Sequence, residues 1–179
     1  GPQTRNVLYR NRADGTFVRT TSNAIVDEAT VSYSAAWSDY NNDGQIDLYV
    51  PNAGPDGNAV LFQNNGVSPP TFTAFTFGDP FDARAAAFGD YSGDGSLDLF
   101  VGNGGGSGSP NYENFLYHND GNSNAWLNVR CVGAKSNRSA IGAKVRVKAT
   151  IGGRSFWQLR EISLGGSFGQ HDIRVHFGL

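Results

Sequence analysis

Two nine-residue stretches constrain this chain more than any other part of it. Asp39-Tyr-Asn41-Asn-Asp43-Gly44-Gln45-Ile-Asp47 and Asp90-Tyr-Ser92-Gly-Asp94-Gly95-Ser96-Leu-Asp98 each place oxygen-bearing side chains at positions 1, 3, 5 and 9, with glycine at position 6. Three carboxylates in so short a loop repel one another and lose hydration, which is costly unless a positive charge sits among them. The copies lie 51 residues apart, and their flanks repeat with them. Ala35-Ala36-Trp37 precedes the first loop and Ala86-Ala87-Phe88 the second; Leu48-Tyr49-Val50 follows the first and Leu99-Phe100-Val101 the second. A third element occurs three times, as Val7-Leu8-Tyr9-Arg10-Asn11, Val60-Leu61-Phe62-Gln63-Asn64 and Phe115-Leu116-Tyr117-His118-Asn119.

A period near 50 with several short apolar segments per unit is the pattern of β-propellers and related repeat folds. The rest of the composition agrees. Of 179 residues 24 are glycine, and only 17% are charged. Such a turn-rich chain favours short strands joined tightly. Asp14-Gly15 and Asp120-Gly121 each follow an apolar segment and predict hairpin turns. The Ala-Ala-aromatic segments predict strands near a crowded centre, and the loop glycines predict tight backbone turns between strands.

All the donors of each loop are oxygens, the set suited to a hard cation, and Ca²⁺ takes six to eight of them. Gln45 and Ser96 at position 7 would offer backbone carbonyls. An EF-hand needs Glu at position 12 and helices on both sides, whereas here position 12 is Val50 or Val101 and the flanks read as strand. The alternative is a cluster of Asx turns that binds nothing, and two copies in register weigh against it. Ser92 is a weaker ligand than Asn41, so the second loop is expected to bind less tightly.

These residues resemble the FG-GAP or VCBS-type repeats of integrin α-subunit heads and many bacterial surface proteins. The likeness rests on Phe88-Gly89-Asp90, the two loops and the Leu-Tyr-x-Asn strands, and spans roughly residues 5–121. It implies a β-propeller with Ca²⁺ in inter-strand loops, used mostly for adhesion and recognition. By matching position it implies metal ligands at Asp39, Asn41, Asp43, Gln45 and Asp47, and at Asp90, Ser92, Asp94, Ser96 and Asp98. The C-terminal part resembles a second family, ASPIC/UnbV, through Trp126-Leu127, Gly133-x-Lys135-Ser136-Asn137-Arg138-x-Ala140-Ile141-Gly142-Ala143 and His176-Phe177-Gly178-Leu179. The pair together is similar to the cartilage acidic protein group. In that group the domain continues into another strand, so the piece is expected to be truncated.

The expected architecture is therefore all-β, a partial β-propeller-like repeat array over residues 1–122 with a small C-terminal β domain over 123–179. Charge divides the chain similarly. Residues 1–129 carry 5 basic and 14 acidic side chains, six of the acids being loop aspartates, whereas residues 130–179 carry 9 basic and 2 acidic. In the tail, Val145, Val147, Ala149 and Ile151 alternate with Lys144, Arg146 and Lys148, and Gly152-Gly153 predicts a turn into a following strand. Ile173, Val175 and Phe177 alternate with Arg174 and His176. The basic face lacks a nucleic-acid motif and interleaved aromatics, so no nucleic-acid partner is expected; solvation or docking on the acidic repeats is. Cys131 reads as a small buried hydrophobe.

No catalytic constellation stands out. His118 occupies the variable position of its strand and is expected to point outward, His171 lies in a polar stretch, and the glycine-rich Gly102–Ser109 stretch lacks the lysine of a phosphate loop. Aspartates holding a metal stay ionised and make poor proton shuttles. The expected function is a calcium-stabilised interaction or adhesion module. The alternative is a calcium-dependent carbohydrate-binding module in which Tyr33, Tyr112 and Trp157 stack on sugars. The partner is a protein or glycan. No apolar run approaches the ~20 residues of a membrane span. Millimolar calcium outside the cytoplasm fills even weak sites, which places the protein extracellularly, at the cell surface or in the periplasm. About two blades and part of a third cannot close a ring, so self-association through open sheet edges is a further expectation.

Overall fold

The repeat is a repeat of antiparallel meanders. The computed structural model describes residues 4–27, 29–53, 58–77, 82–104, 112–163 and 173–179. After β1 (Thr4–Arg5), β2 (Tyr9–Asn11) and β3 (Phe17–Arg19) form a hairpin in which Asn11 faces Phe17. Its turn puts Ala13 and Gly15 at φ 64° and 86°, the left-handed backbone that Asp-Gly sequences supply. A single helical turn follows, α1 (Ala24–Asp27), capped by Asn23 Oδ1 accepting from the Ile25 N–H at 3.1 Å.

Next come β4 (Ala29–Ser32), β5 (Ala36–Ser38), β6 (Asp47–Val50), β7 (Asn52–Ala53), β8 (Val60–Asn64) and β9 (Phe72–Thr76). Strands β5, β6, β8 and β9 lie side by side in that order, a complete four-stranded blade. β10 (Ala83–Gly89), β11 (Asp98–Asn103) and β12 (Phe115–Tyr117) repeat its first three strands. The hairpin β2–β3 supplies only the last two of the preceding unit. Strands β1, β4 and β7 pair in a small separate sheet. The array is propeller-like and partial: among the described residues no sheet closes on itself.

Strand periodicity decides what each blade face meets. Ala36, Tyr49 and Leu61 share one face of the middle blade and pack on Ala83, Ala86, Leu99 and Val101 of the next. Leu48, Val50, Val60 and Phe62 share the other and pack on Ile25 and Val26, with Leu8 of the preceding hairpin against them. Hence all four residues of β6 are buried, each apolar one contributing about 1.5–3 kcal/mol. Tyr49 meets the rings of Phe77 and Phe88 edge-on at 5.6 and 6.5 Å, the favoured aromatic geometry.

The tail forms β13 (Trp126–Arg130), β14 (Lys144–Ile151), β15 (Arg154–Glu161) and β16 (Arg174–Gly178). β14 and β15 are a hairpin turned by Gly152 and Gly153, both at positive φ, and β13 pairs with β16. Ala140, Ile162, Val175 and Phe177 form its core, joined by Val129, Val145, Val147 and the partly buried Cys131. Lys144, Arg146 and Lys148 are exposed. Two expectations need correction. Asp120-Gly121 does not turn a hairpin: the chain leaves β12 for β13, which pairs with β16 instead. Here Gly121 is pressed against Ser96 Oγ, where a Cβ would lie 2.5 Å away. The second concerns His118 and is taken up with its loop. No helix among the described residues is long and apolar enough to cross a membrane.

Candidate metal loops

Each nine-residue stretch joins the first two strands of a blade, so strand pairing brings its ends together: Ser38 faces Asp47, and Gly89 faces Asp98. Position 1 then reaches across its own loop. Asp39 Oδ1 accepts from the Asp43 N–H and Oδ2 from the Gly44 N–H, both at 3.0 Å. Asp90 does the same with Gly93 (2.7 Å) and Gly95 (3.1 Å). The Asn41 side-chain amide donates to Asp43 Oδ2 (3.0 Å), while Asp43 Oδ1 accepts from the Gln45 N–H. In the second loop Asp94 Oδ1 accepts from the Ser96 N–H, and Ser92 Oγ from the Asp94 N–H at 3.4 Å. Gly44, Gly93 and Gly95 take φ of 80°, 77° and 88°, where glycine avoids the Cβ penalty.

Position 9 is closed from a neighbouring strand. The Asn64 N–H donates to Asp47 Oδ1 at 2.8 Å, and its side-chain amide to the Ile46 carbonyl at 3.2 Å. Asn119 repeats both bonds at the same lengths on Asp98 and Leu97. The asparagine that follows Leu-x-x in the second and third copies, Asn64 and Asn119, is thus a loop clamp. Its recurrence was visible in the sequence, its target was not. His118 does not merely point outward: its Nδ1 donates to Asp98 Oδ1 at 2.9 Å, where the first loop has Gln63 in the equivalent position. The second loop differs by this histidine and by Ser92, and it is the more open: Asp94 is exposed where Asp43 is half-buried, and Asp90 is half-buried where Asp39 is buried, while Asp47 and Asp98 are both buried.

Electrostatics of the first loop favour a cation. Burial pushes Asp39 up to about 6, with repulsion from Asp43 adding to it and the N–H of Gly178, the Arg160 charge and the N–H of Gly44 opposing. Burial likewise raises Asp47 to about 7; the N–H groups of Asn64 and Tyr40 oppose, and the charges of Asp43 and Asp39 raise it further. Among the described residues no three carboxylate, histidine or cysteine side chains gather round one point; the loop oxygens are turned instead to the loops' own N–H groups. The donor chemistry fits a hard cation: oxygens only, three carboxylates per loop, and two of them in the first loop charged at a cost.

The C-terminal domain docks on both loops; docking on the acidic repeats was one of the expectations, but the basic face is not what docks, and the landing points were not legible. At Gly44 a Cβ would lie 2.6 Å from Ile151 Cδ1 and 2.7 Å from Phe156 Cζ; at Gly95 it would fall within the Trp126 ring. The same loop position is therefore the landing point twice. The Gly178 N–H donates to Asp39 Oδ2 (3.0 Å), His176 Nε2 donates to Asn42 Oδ1 (2.5 Å), and Arg154 Nη1 donates to the Gly66 carbonyl (3.3 Å). Asn122 and Asn124 both donate to the Asn41 carbonyl, and Asn119 to that of Tyr40. The Trp126 and His176 rings stack. Burial, with Arg160 second, pushes His176 down to about 4. The docking uses β13, β15, β16 and the end of β14 at Ile151, while the basic face of β14, Lys144, Arg146 and Lys148, stays in solvent.

The remaining candidates are dispersed. Tyr33 and Trp157 are exposed, each with an arginine over its ring at 5.2 Å, Arg84 and Arg146 respectively. His171 and most of the glycine-rich stretch lie outside the described residues. Compared with known families, residues 1–50 match the FG-GAP-like repeat and residues 133–179 match ASPIC and UnbV. The first loop falls inside the matched region; the second rests on its register with the first. No curated protein matches the chain.

Proposed function

For a chain that joins an FG-GAP-like repeat to an ASPIC and UnbV segment, we propose a calcium-braced interaction module that works outside the cytoplasm and performs no chemistry of its own. FG-GAP-like repeats are typically extracellular, which agrees with an adhesion-like role. The observation that carries the metal reading is the first loop, where buried Asp39 and Asp47 crowd Asp43 and, among the described residues, Arg160 is the one cation set against Asp39 and none is set against Asp47. A bound divalent cation would supply the missing positive charge. Asp39, Asn41, Asp43, Asp47 and the Gln45 carbonyl would hold it there, with Asp90, Ser92, Asp94, Asp98 and the Ser96 carbonyl as the second set. Both loops sit under the C-terminal domain, so filling them would stiffen the seam between the two domains rather than present a metal to a ligand. A protein partner is favoured over a glycan because arginines already cover one face of the exposed Tyr33 and Trp157 rings.

Titration calorimetry with calcium tests this. We expect two unequal sites, the weaker abolished by Asp94→Ala and the tighter by Asp43→Ala. A hundredfold excess over Kd adds about 2.7 kcal/mol, which chelation should remove as a fall of about 5–10 °C in Tm. No heat of binding, or a melt indifferent to chelator, would return the loops to plain Asx turns.

A further inference from the structure

The C-terminal domain brings the first loop a cation as well as a cover. Asp39 Oδ2 accepts one N–H from its own loop, that of Gly44, and a second from Gly178 of β16, both at 3.0 Å. From Gly178 a short relay leads to a charge. Its carbonyl accepts from Gln158 Nε2, and Gln158 Oε1 accepts from Arg160 Nη2 at 3.1 Å. Arg160 Nη1 donates to the Leu159 carbonyl at 3.2 Å, and the guanidinium carbon stands 5.1 Å from the centre of the Phe177 ring. Gln158 is 4% exposed, and both ends of its amide are committed to these partners. Strands β15 and β16 thus fix the guanidinium on the wall of a cleft that Asp39 also lines. Burial pushes Asp39 up and Arg160 down, and the charge of each opposes the shift of the other. Asp90, at the same position of the second loop, accepts from Gly93 and Gly95 of that loop; the relay runs to the first.

On the reading that the first loop takes calcium, we propose that Arg160 is the built-in rival of the ion. In the empty loop it is the counter-charge of Asp39 and keeps the C-terminal domain seated. When the loop fills, two cations face one carboxylate, and their repulsion sets the affinity. The seam therefore stays closed without calcium, and the first loop binds calcium less tightly than its buried carboxylates alone would allow. Asp90 and Glu161 line the same cleft, so the partner of Arg160 has to be identified by a mutant cycle.

Titration calorimetry in an Asp94→Ala background, which leaves the first loop alone to bind, tests the rivalry. Arg160→Gln removes the charge but keeps a side-chain amide, and should tighten calcium binding about tenfold. Arg160→Lys keeps the charge and should leave Kd within about twofold of the parent. A merely structural role would make both variants bind more weakly. Melts in chelator at pH 8 supply the other half. There Arg160→Gln should lower Tm by about 4 °C, and in an Asp39→Asn background the same change should cost much less. Tighter binding joined to a lower melt without calcium is a pairing that a damaged fold does not give. Calcium heat from the parent with an equal or weaker affinity in Arg160→Gln overturns the proposal and leaves the calcium reading intact. So does an undiminished loss in the Asp39→Asn background, which would assign the guanidinium to Asp90 or Glu161. No heat from any chain overturns the calcium reading, and the rivalry with it.

Discussion

Asp39 and Asp47 hold their charges where water barely reaches, and this governs how the first loop responds to pH. Both carboxyls are raised in the folded state, to about 6 and about 7, so between pH about 4 and about 7 the folded chain binds more protons than the unfolded one. Their contribution to stability is then greatest at the acid end and is lost as pH rises through that window. His176 acts oppositely. Depressed from 6.5 to about 4, it takes up a proton only on unfolding, and stability falls as pH drops from 6.5 to 4. Comparison with Asp47→Asn separates the two. In chelator, melts across this window should show the unaltered chain losing stability relative to the variant as pH rises, and calcium should reverse the trend, because the ionised Asp47 then holds a cation that the variant binds less well. A constant difference in chelator would mean that Asp47 is not titrating there. The sequence displayed these aspartates and the loop glycines plainly. It did not display that Gly44 and Gly95 are also landing points, because the residues above them, Phe156 and Trp126, are distant in sequence and belong to another domain.

Among the elements, the strands and loops that recur at the offset of 51 were legible, since β-periodicity and Asp-Gly chemistry are local signals. The asparagine clamps were only half legible. Asn64 and Asn119 are conspicuous as strand-ending repeats, yet their partners are carboxylates 17 and 21 residues earlier. Asn64→Ala should remove the bond to the Ile46 carbonyl and loosen the backbone that holds Asp47. We expect a loss of about 2 kcal/mol, or about 4–8 °C in Tm, together with weaker calcium binding at the first loop alone. Asn11→Ala, which alters the matching residue on the exposed hairpin, should cost much less. Equal losses at the two positions would contradict the clamp. The small sheet of β1, β4 and β7 was not legible, as segments of two to four residues carry no periodicity. The Asp120-Gly121 turn misled because a good turn sequence does not supply a strand to follow it.

At the scale of the molecule, the change of charge sign near residue 129 and the end of the repeat marked two parts, but how one sits on the other depends on side chains that meet only after each has folded. Gly178 is where that seam closes on backbone: a Cβ there would lie 2.5 Å from both Asp39 Oδ2 and the Asn42 backbone. Gly178→Val should therefore undock the C-terminal domain while both sets of strands persist. Small-angle scattering should show an expanded particle, and limited proteolysis should gain a cut between residues 119 and 125. Unchanged scattering would mean the seam tolerates the branch and does not depend on this contact. The front-to-back polarity of the blades reaches further than any one junction. Because every unit offers its neighbour the same pair of surfaces, a segment of about one repeat can be duplicated or deleted without creating a new kind of interface. The number of blades is thereby free to drift in such a lineage, and a designer can lengthen the array by copying residues already present.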